Sequence, residues 1–154
     1  GKTTLAEQLI TEWTARGLDV ATIKHAHHEF EADTEGKDSW RHRKAGARQV
    51  LVSSAIRSAH FVEHETIEPD LAQLLNRLLP CDLVLIEGFK REAVPKMEIF
   101  RAEVGKPYLY TEDDQIIAVA SDSAVTNCPL PVLDLNDIPT IADFVLQAVG
   151  FSIK

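Results

Sequence analysis

Leu83-Val84-Leu85-Ile86 is an unbroken apolar run closed by Glu87 and Gly88. A strand half-exposed on an antiparallel sheet alternates apolar with polar residues. A strand apolar at every position needs cover on both faces, which a parallel sheet layered between helices supplies. The surrounding sequence contains those layers. Leu5, Leu9, Ile10 and Trp13 follow helical spacing, with Gly17 as a stop after Arg16. Val20–Ile23 reads as a short buried strand. A polar loop covers residues 26–37, and Asp38 can N-cap a short basic helix ending near Gly46. Gln49–Ser53 and Ala59–His64 read as strands. Leu71, Leu74, Leu75, Leu78 and Leu79 form the stripe of a core-packed helix. Further strands are expected at Met97–Phe100, Ile116–Ala120 and Pro131–Leu135. A last helix carries Ile138, Ile141, Ala142, Val145, Leu146 and Val149 on one stripe, with Pro139 in its first turn. Apolar strands alternating with amphipathic helices predict an α/β fold built on a mostly parallel sheet.

Nothing repetitive or of low complexity divides the 154 residues, so residues 1–154 are expected to form a single domain. The longest aliphatic run, residues 116–120, is far short of the ~20 residues that span a bilayer, and a signal peptide is not expected. Cys81 and Cys128 have no metal-site spacing. Two lone thiols fit a reducing, cytoplasmic setting. Net charge is −8. Residues 24–48 nevertheless hold six basic residues and four of the six histidines. Such a local patch is not the broad basic surface that non-specific nucleic-acid binding needs.

The chain opens Gly1-Lys2-Thr3-Thr4 and runs straight into the first helix. This is the second half of a P-loop, G-x-x-x-x-G-K-[ST]. Backbone N–H groups at a glycine turn point at phosphate oxygens, and the helix N-terminus adds partial positive charge. Lys2 would reach the β- and γ-phosphates and the Thr3 hydroxyl would ligate Mg²⁺. Glu87, closing the apolar strand, stands where a Walker B acid holds Mg²⁺ or orients the attacking water. A third constellation leaves the strand after the first helix: Lys24-His25-Ala26-His27-His28, then Asp33-Thr34-Glu35-Gly36-Lys37-Asp38-Ser39. Asp33 could contact Mg²⁺ or its water shell, while Gly36 and Lys37 could approach phosphate. Arg41, His42, Arg43, Lys44 and Arg48 form a basic cluster, read either as a solvated helix face or as a dock for an anionic partner. The sequence contains no nucleophile elbow and no dinucleotide-binding fingerprint.

These segments occur in the order seen in a known family. Gly1–Leu5, Ile23–His28, Asp33–Ser39, Arg43–Ala47, Val84–Lys90 and Ile117–Asp122 together resemble the molybdopterin-guanine dinucleotide biosynthesis protein B (MobB) family, from residue 1 to about Phe151. The resemblance implies a three-layer, P-loop NTPase-like fold binding GTP and Mg²⁺. It implies weak intrinsic GTPase activity, with Lys2 and Glu87 catalytic. Gly1, Lys2, Thr3, Thr4 and Asp33, Thr34, Glu35, Gly36, Lys37 would contact nucleotide; Thr3 and Glu87 would hold the metal. It further implies a cytoplasmic homodimeric adapter that assists the guanylyltransferase joining GMP to molybdopterin, without nucleic-acid or membrane partners. The family carries a strand and the leading glycines of the P-loop ahead of Gly1, so the sheet is expected here without its first strand. Two other readings compete. In one, a metal-delivery GTPase uses His25, His27 and His28 as ligands. In the other, the same scaffold is a small-molecule kinase.

Overall fold

The computed structural model describes residues 1–26 and 30–151. In chain order the elements are α1 (Lys2–Ala15), β1 (Val20–Lys24), α2 (Asp38–Lys44), β2 (Gln49–Ser53), β3 (Ser58–Val62), α3 (Leu71–Leu75), β4 (Leu83–Glu87), β5 (Lys96–Phe100), β6 (Ile116–Ser121), β7 (Val132–Asp134) and α4 (Ile138–Ala148). They form two compact units, Gly1–His25 with Leu78–Lys154, and Ala26–Arg77.

In the first unit every strand pairing is parallel. β1 pairs with β4, Ile23 opposite Ile86 and Lys24 opposite Glu87. β6 lies between β5 and β7, with Phe100 opposite Ser121 and Ser121 opposite Asp134. Leu5, Leu9 and Trp13 of α1 bury one stripe, joined by Ile141, Ala142 and Leu146 of α4 and by Leu83 and Ala120 from the strands. Each such aliphatic side chain contributes about 1.5–3 kcal/mol relative to exposure. The Trp13 indole N–H donates to the Ala142 carbonyl at 3.4 Å, and Arg16 pairs with Glu12 and Asp143. α1 ends in a double carbonyl cap: the Gly17 N–H donates to Thr14 and the Leu18 N–H to Trp13. Gly17 takes φ +87° there, as the sequence signal required. Because only residues 16–19 join α1 to β1, the helix runs back along the strand. Its N-terminus therefore lies toward the edge where β1 and β4 end.

The second unit is α2, the antiparallel β2–β3 ribbon and α3. Val50 faces Phe61 across the ribbon and is its buried residue. α2 begins one residue differently from expectation. Lys37, extended at φ −76°, ψ 164°, is the N-cap, which puts Asp38 inside the first turn where it faces the helix dipole. The leucine stripe does not become one long helix. Asp70 and Gln73 form a reciprocal capping box, but α3 stops at Leu75 and only Leu71 of the stripe is buried. Leu79, 86% exposed, precedes Pro80, and the residue before a proline is driven out of helical conformation.

Candidate functional site

The first turn of α1 carries Lys2, Thr3 and Thr4, all exposed. Gly1 is its N-cap, and no acid lies in that turn. Its unbonded amides and dipole therefore meet no side-chain negative charge of their own, the electrostatic condition under which a helix end attracts an anion. In the same unit β4 delivers Glu87 to the end of the parallel pair. Its carboxylate is 26% exposed and stands 3.8 Å from Lys24 Nζ across the register.

The turn after Glu87 is sharply constrained. The His25 N–H donates to the Glu87 carbonyl at 2.8 Å. Gly88 takes φ +101° and Phe89 φ +50°. A Cβ on Gly88 would stand 2.7 Å from the His25 Cβ, so β1 and the turn approach as closely as only glycine allows. The His25 and Phe89 rings stack at 4.7 Å. A bulky side chain at positive φ persists only where its surroundings over-determine it. Here the stack and the close backbone approach do so, fixing the direction in which Glu87 leaves the strand.

The residues Asp33, Thr34, Glu35, Gly36 and Lys37 lie in the second unit, where Asp33 is the best-anchored. Its side chain is 7% exposed. Oδ1 accepts from the Thr34 N–H at 2.9 Å and the Ser39 hydroxyl at 2.8 Å, and Oδ2 from Arg43 Nε at 3.3 Å. Burial pushes its pKa up, but the hydrogen bonds from Ser39, Thr34 and Arg43 outweigh it and hold the carboxyl below its ordinary value. Arg43 is the hub. It also pairs with Glu31 and with Glu63, at 2.9 Å for the latter, and lies 5.2 Å from the Phe61 ring centroid. Its guanidinium pKa is raised, first by Glu63, against the opposing effect of burial, and then by Glu31 and Asp33. Of the basic cluster, Arg43 is thus structural, while Arg41, His42, Lys44 and Arg48 are exposed. Lys44 lies 5.6 Å from the Trp40 ring centroid.

Sequence reasoning missed the Arg43 hub because its acidic partners are 10–20 residues away. It also missed the Gly88–Phe89 turn, for which the only signal was a glycine after a strand-terminal acid. His27 and His28, the core of the metal-delivery reading, lie outside the described residues. Among the described residues no three His, Cys, Asp or Glu side chains converge as metal ligands. Cys81 and Cys128 are free thiols, each half-buried. No helix among the described residues is long and apolar enough to cross a membrane.

Parallel strands packed under α1 and α4, with a basic, hydroxyl-bearing helix start and an acid at a strand end, define an α/β protein of P-loop NTPase-like fold. Within that class, residues 1–122 match the family model described as Molybdopterin guanine dinucleotide synthesis protein B; the chain belongs to that family. A Haemophilus influenzae protein named molybdopterin-guanine dinucleotide biosynthesis adapter protein is 47% identical over 151 residues, covering 94% of this chain and 81% of the relative. An Escherichia coli K12 protein of the same name is 43% identical, covering 96% and 86%. The crystal structure of Bacillus subtilis MobB superposes with a TM-score of 0.74 at 30% identity, covering 96% of this chain and 90% of that one.

Proposed function

We propose that this chain is a GTP-binding adapter of molybdopterin-guanine dinucleotide biosynthesis that hydrolyses GTP slowly and assists the guanylyltransferase step. The observation that carries the reading is the start of α1: exposed Lys2, Thr3 and Thr4 on a first turn without an acid, in the unit whose β4 ends in Glu87. Gly1 through Thr4 bind phosphate through backbone N–H groups and the Lys2 ammonium. The Thr3 hydroxyl and Glu87 carboxylate are hard oxygen donors of the kind Mg²⁺ takes, so the donor chemistry fits that ion. Bound there, Mg²⁺ would neutralise charge on the phosphate oxygens. Glu87 orients the attacking water, and the strained turn holds it in place. Thr34, Glu35, Gly36 and Lys37 form the second nucleotide-contacting segment, shaped by Asp33. With both of its oxygens already hydrogen-bonded, Asp33 acts on the loop, which leaves Glu87 as the metal-side acid.

In this reading residues 1–154 act as one nucleotide-binding domain in a cytoplasmic homodimer. The β2–β3 ribbon, with Leu51 69% and Ile56 93% exposed, offers an apolar surface for self-association. Calorimetric titration of Mg²⁺–GTP into the full-length protein tests the site. Lys2→Ala should weaken binding at least ~10-fold, the loss of a charge-assisted contact. Unchanged affinity in Lys2→Ala, or no binding by the parent, refutes the phosphate site.

A further inference from the structure

The exposed cations on and just after α2 have no acidic counterpart. Arg16, Lys24, Arg43, Lys96 and Arg101 each stand beside a carboxylate. Arg41, Lys44 and Arg48 stand beside none among the described residues, although the chain holds 24 acids against 16 lysines and arginines. The α2 dipole favours a cation in its last turn. Arg43 already stands there, and it takes up the carboxylates of Glu31, Asp33 and Glu63. Those acids are therefore not left to neutralise the exposed side chains, and Arg48 lies beyond the helix altogether.

These cations border a groove. α2 closes with the Gly46 N–H donating to the Arg43 carbonyl at 2.9 Å and the Ala47 N–H to the His42 carbonyl at 3.1 Å. Past that turn the helix end meets the start of β2, leaving a shallow groove of about 530 Å³ lined by His42, Ala45, Ala47, Gln49, Val50 and Leu51. Arg41 lies one helical turn before Ala45 on the same side of α2, Lys44 is next to Ala45, and Arg48 precedes Gln49. An apolar floor within a charged rim is the anatomy of a protein–protein contact.

Other anions suit the groove less well. Of the lining residues only Val50 is buried, so nothing here encloses a small phosphate. A nucleic acid needs a broader basic surface than three side chains on a chain of net charge −8. An extended acidic polypeptide matches both the charge and the shape. We propose that this groove docks an acidic segment of a partner protein. Its carboxylates pair with Arg41, Lys44 and Arg48, and an apolar side chain rests on Ala45, Ala47 and Val50. The inference rests on the adapter reading above, which makes the guanylyltransferase that partner.

The test is the kinetics of binding between the full-length protein and purified guanylyltransferase. Complementary charge speeds association and salt screens it, so raising ionic strength from about 50 to about 500 mM should slow association at least ~10-fold. A triple variant, Arg41→Glu with Lys44→Glu and Arg48→Glu, should slow it at least ~10-fold at low salt and flatten the salt dependence. Ala45→Gln fills the groove mouth without altering charge. It should speed dissociation roughly 5–10-fold and leave association nearly unchanged. Lys106→Glu, at an exposed cation in the other unit, should change neither rate by more than about 2-fold. An unchanged urea midpoint shows that each variant is folded. Parental rates in both the triple variant and Ala45→Gln overturn the groove and leave the adapter reading standing. A parent that does not bind the transferase overturns that reading and this one together. Loss of self-association in the triple variant, read by sedimentation, assigns the groove to a second copy and overturns the proposal.

Discussion

Gly88→Ala is the most demanding substitution the structure offers. At φ +101° an L-residue is strained, and the left-handed region costs about 1–2 kcal/mol. The new methyl would lie 2.7 Å from the His25 Cβ, against the 3.5–4.0 Å at which carbon atoms rest. Overpacking of that kind adds about 1–3 kcal/mol, for a total of about 2–5 kcal/mol. With a urea slope of about 2 kcal/mol/M, the denaturation midpoint should fall by roughly 1–2.5 M. The two contributions separate in a double-mutant cycle. His25→Gly removes the clashing carbon but leaves the Gly88 backbone as it is, so in the Gly88→Ala background it should recover the overpacking part, a coupling of about 1–3 kcal/mol. A midpoint within 0.3 M of the parent, or a cycle with no coupling, would show that β1 and the turn are not locked together as described.

Other expectations follow from single contacts. Trp13 is fully buried, so Trp13→Ala should cost about 3–5 kcal/mol in urea unfolding, and Trp13→Phe about 1 kcal/mol for the indole hydrogen bond; equal costs would mean that the ring contributes nothing. Glu98, 6% exposed, accepts from the Leu109 and Tyr110 N–H groups at 2.8 and 3.0 Å. Glu98→Ala should therefore cost about 1–3 kcal/mol and speed amide exchange at those two residues; unchanged exchange argues against the anchor. The Asp33 pKa is depressed in the folded state, so its contribution is present above the ordinary carboxylate value of about 4 and is lost as pH falls through the folded value. Asp33→Asn should consequently lose less stability between about pH 5 and 3 than the parent does; equal acid sensitivity would refute the anchored carboxylate.

The parallel layers were legible because the Leu83–Ile86 run and the Leu5, Leu9, Trp13 stripe each answer to burial, which a one-dimensional pattern records. The Gly17 stop was legible because it is a local backbone requirement. Leu75 and Leu79 misled for the opposite reason: helical periodicity was present, but α3 closes at the Asn76 C-cap and Pro80 holds Leu79 out of helical conformation, neither of which the pattern weighs. Site residues that act through short segments, Gly1–Thr4 and Glu87, could be proposed directly. Those that act through tertiary pairing could not. Arg43 looks like one of five basic residues until Glu31, Asp33 and Glu63 are seen around it.

The Arg43 hub has a dynamic consequence. A two-stranded ribbon by itself is marginal in water, yet β2–β3 is tied through one guanidinium to residues 31 and 33 on the loop before α2 and to Glu63 just past its own end. The loop, the short helix and the ribbon should therefore open to solvent as one cooperative segment, with a common exchange lifetime for their protected amides. A ligand that drew Asp33 off Arg43 would shorten that lifetime across the whole segment at once, out to the exposed tip at Ile56.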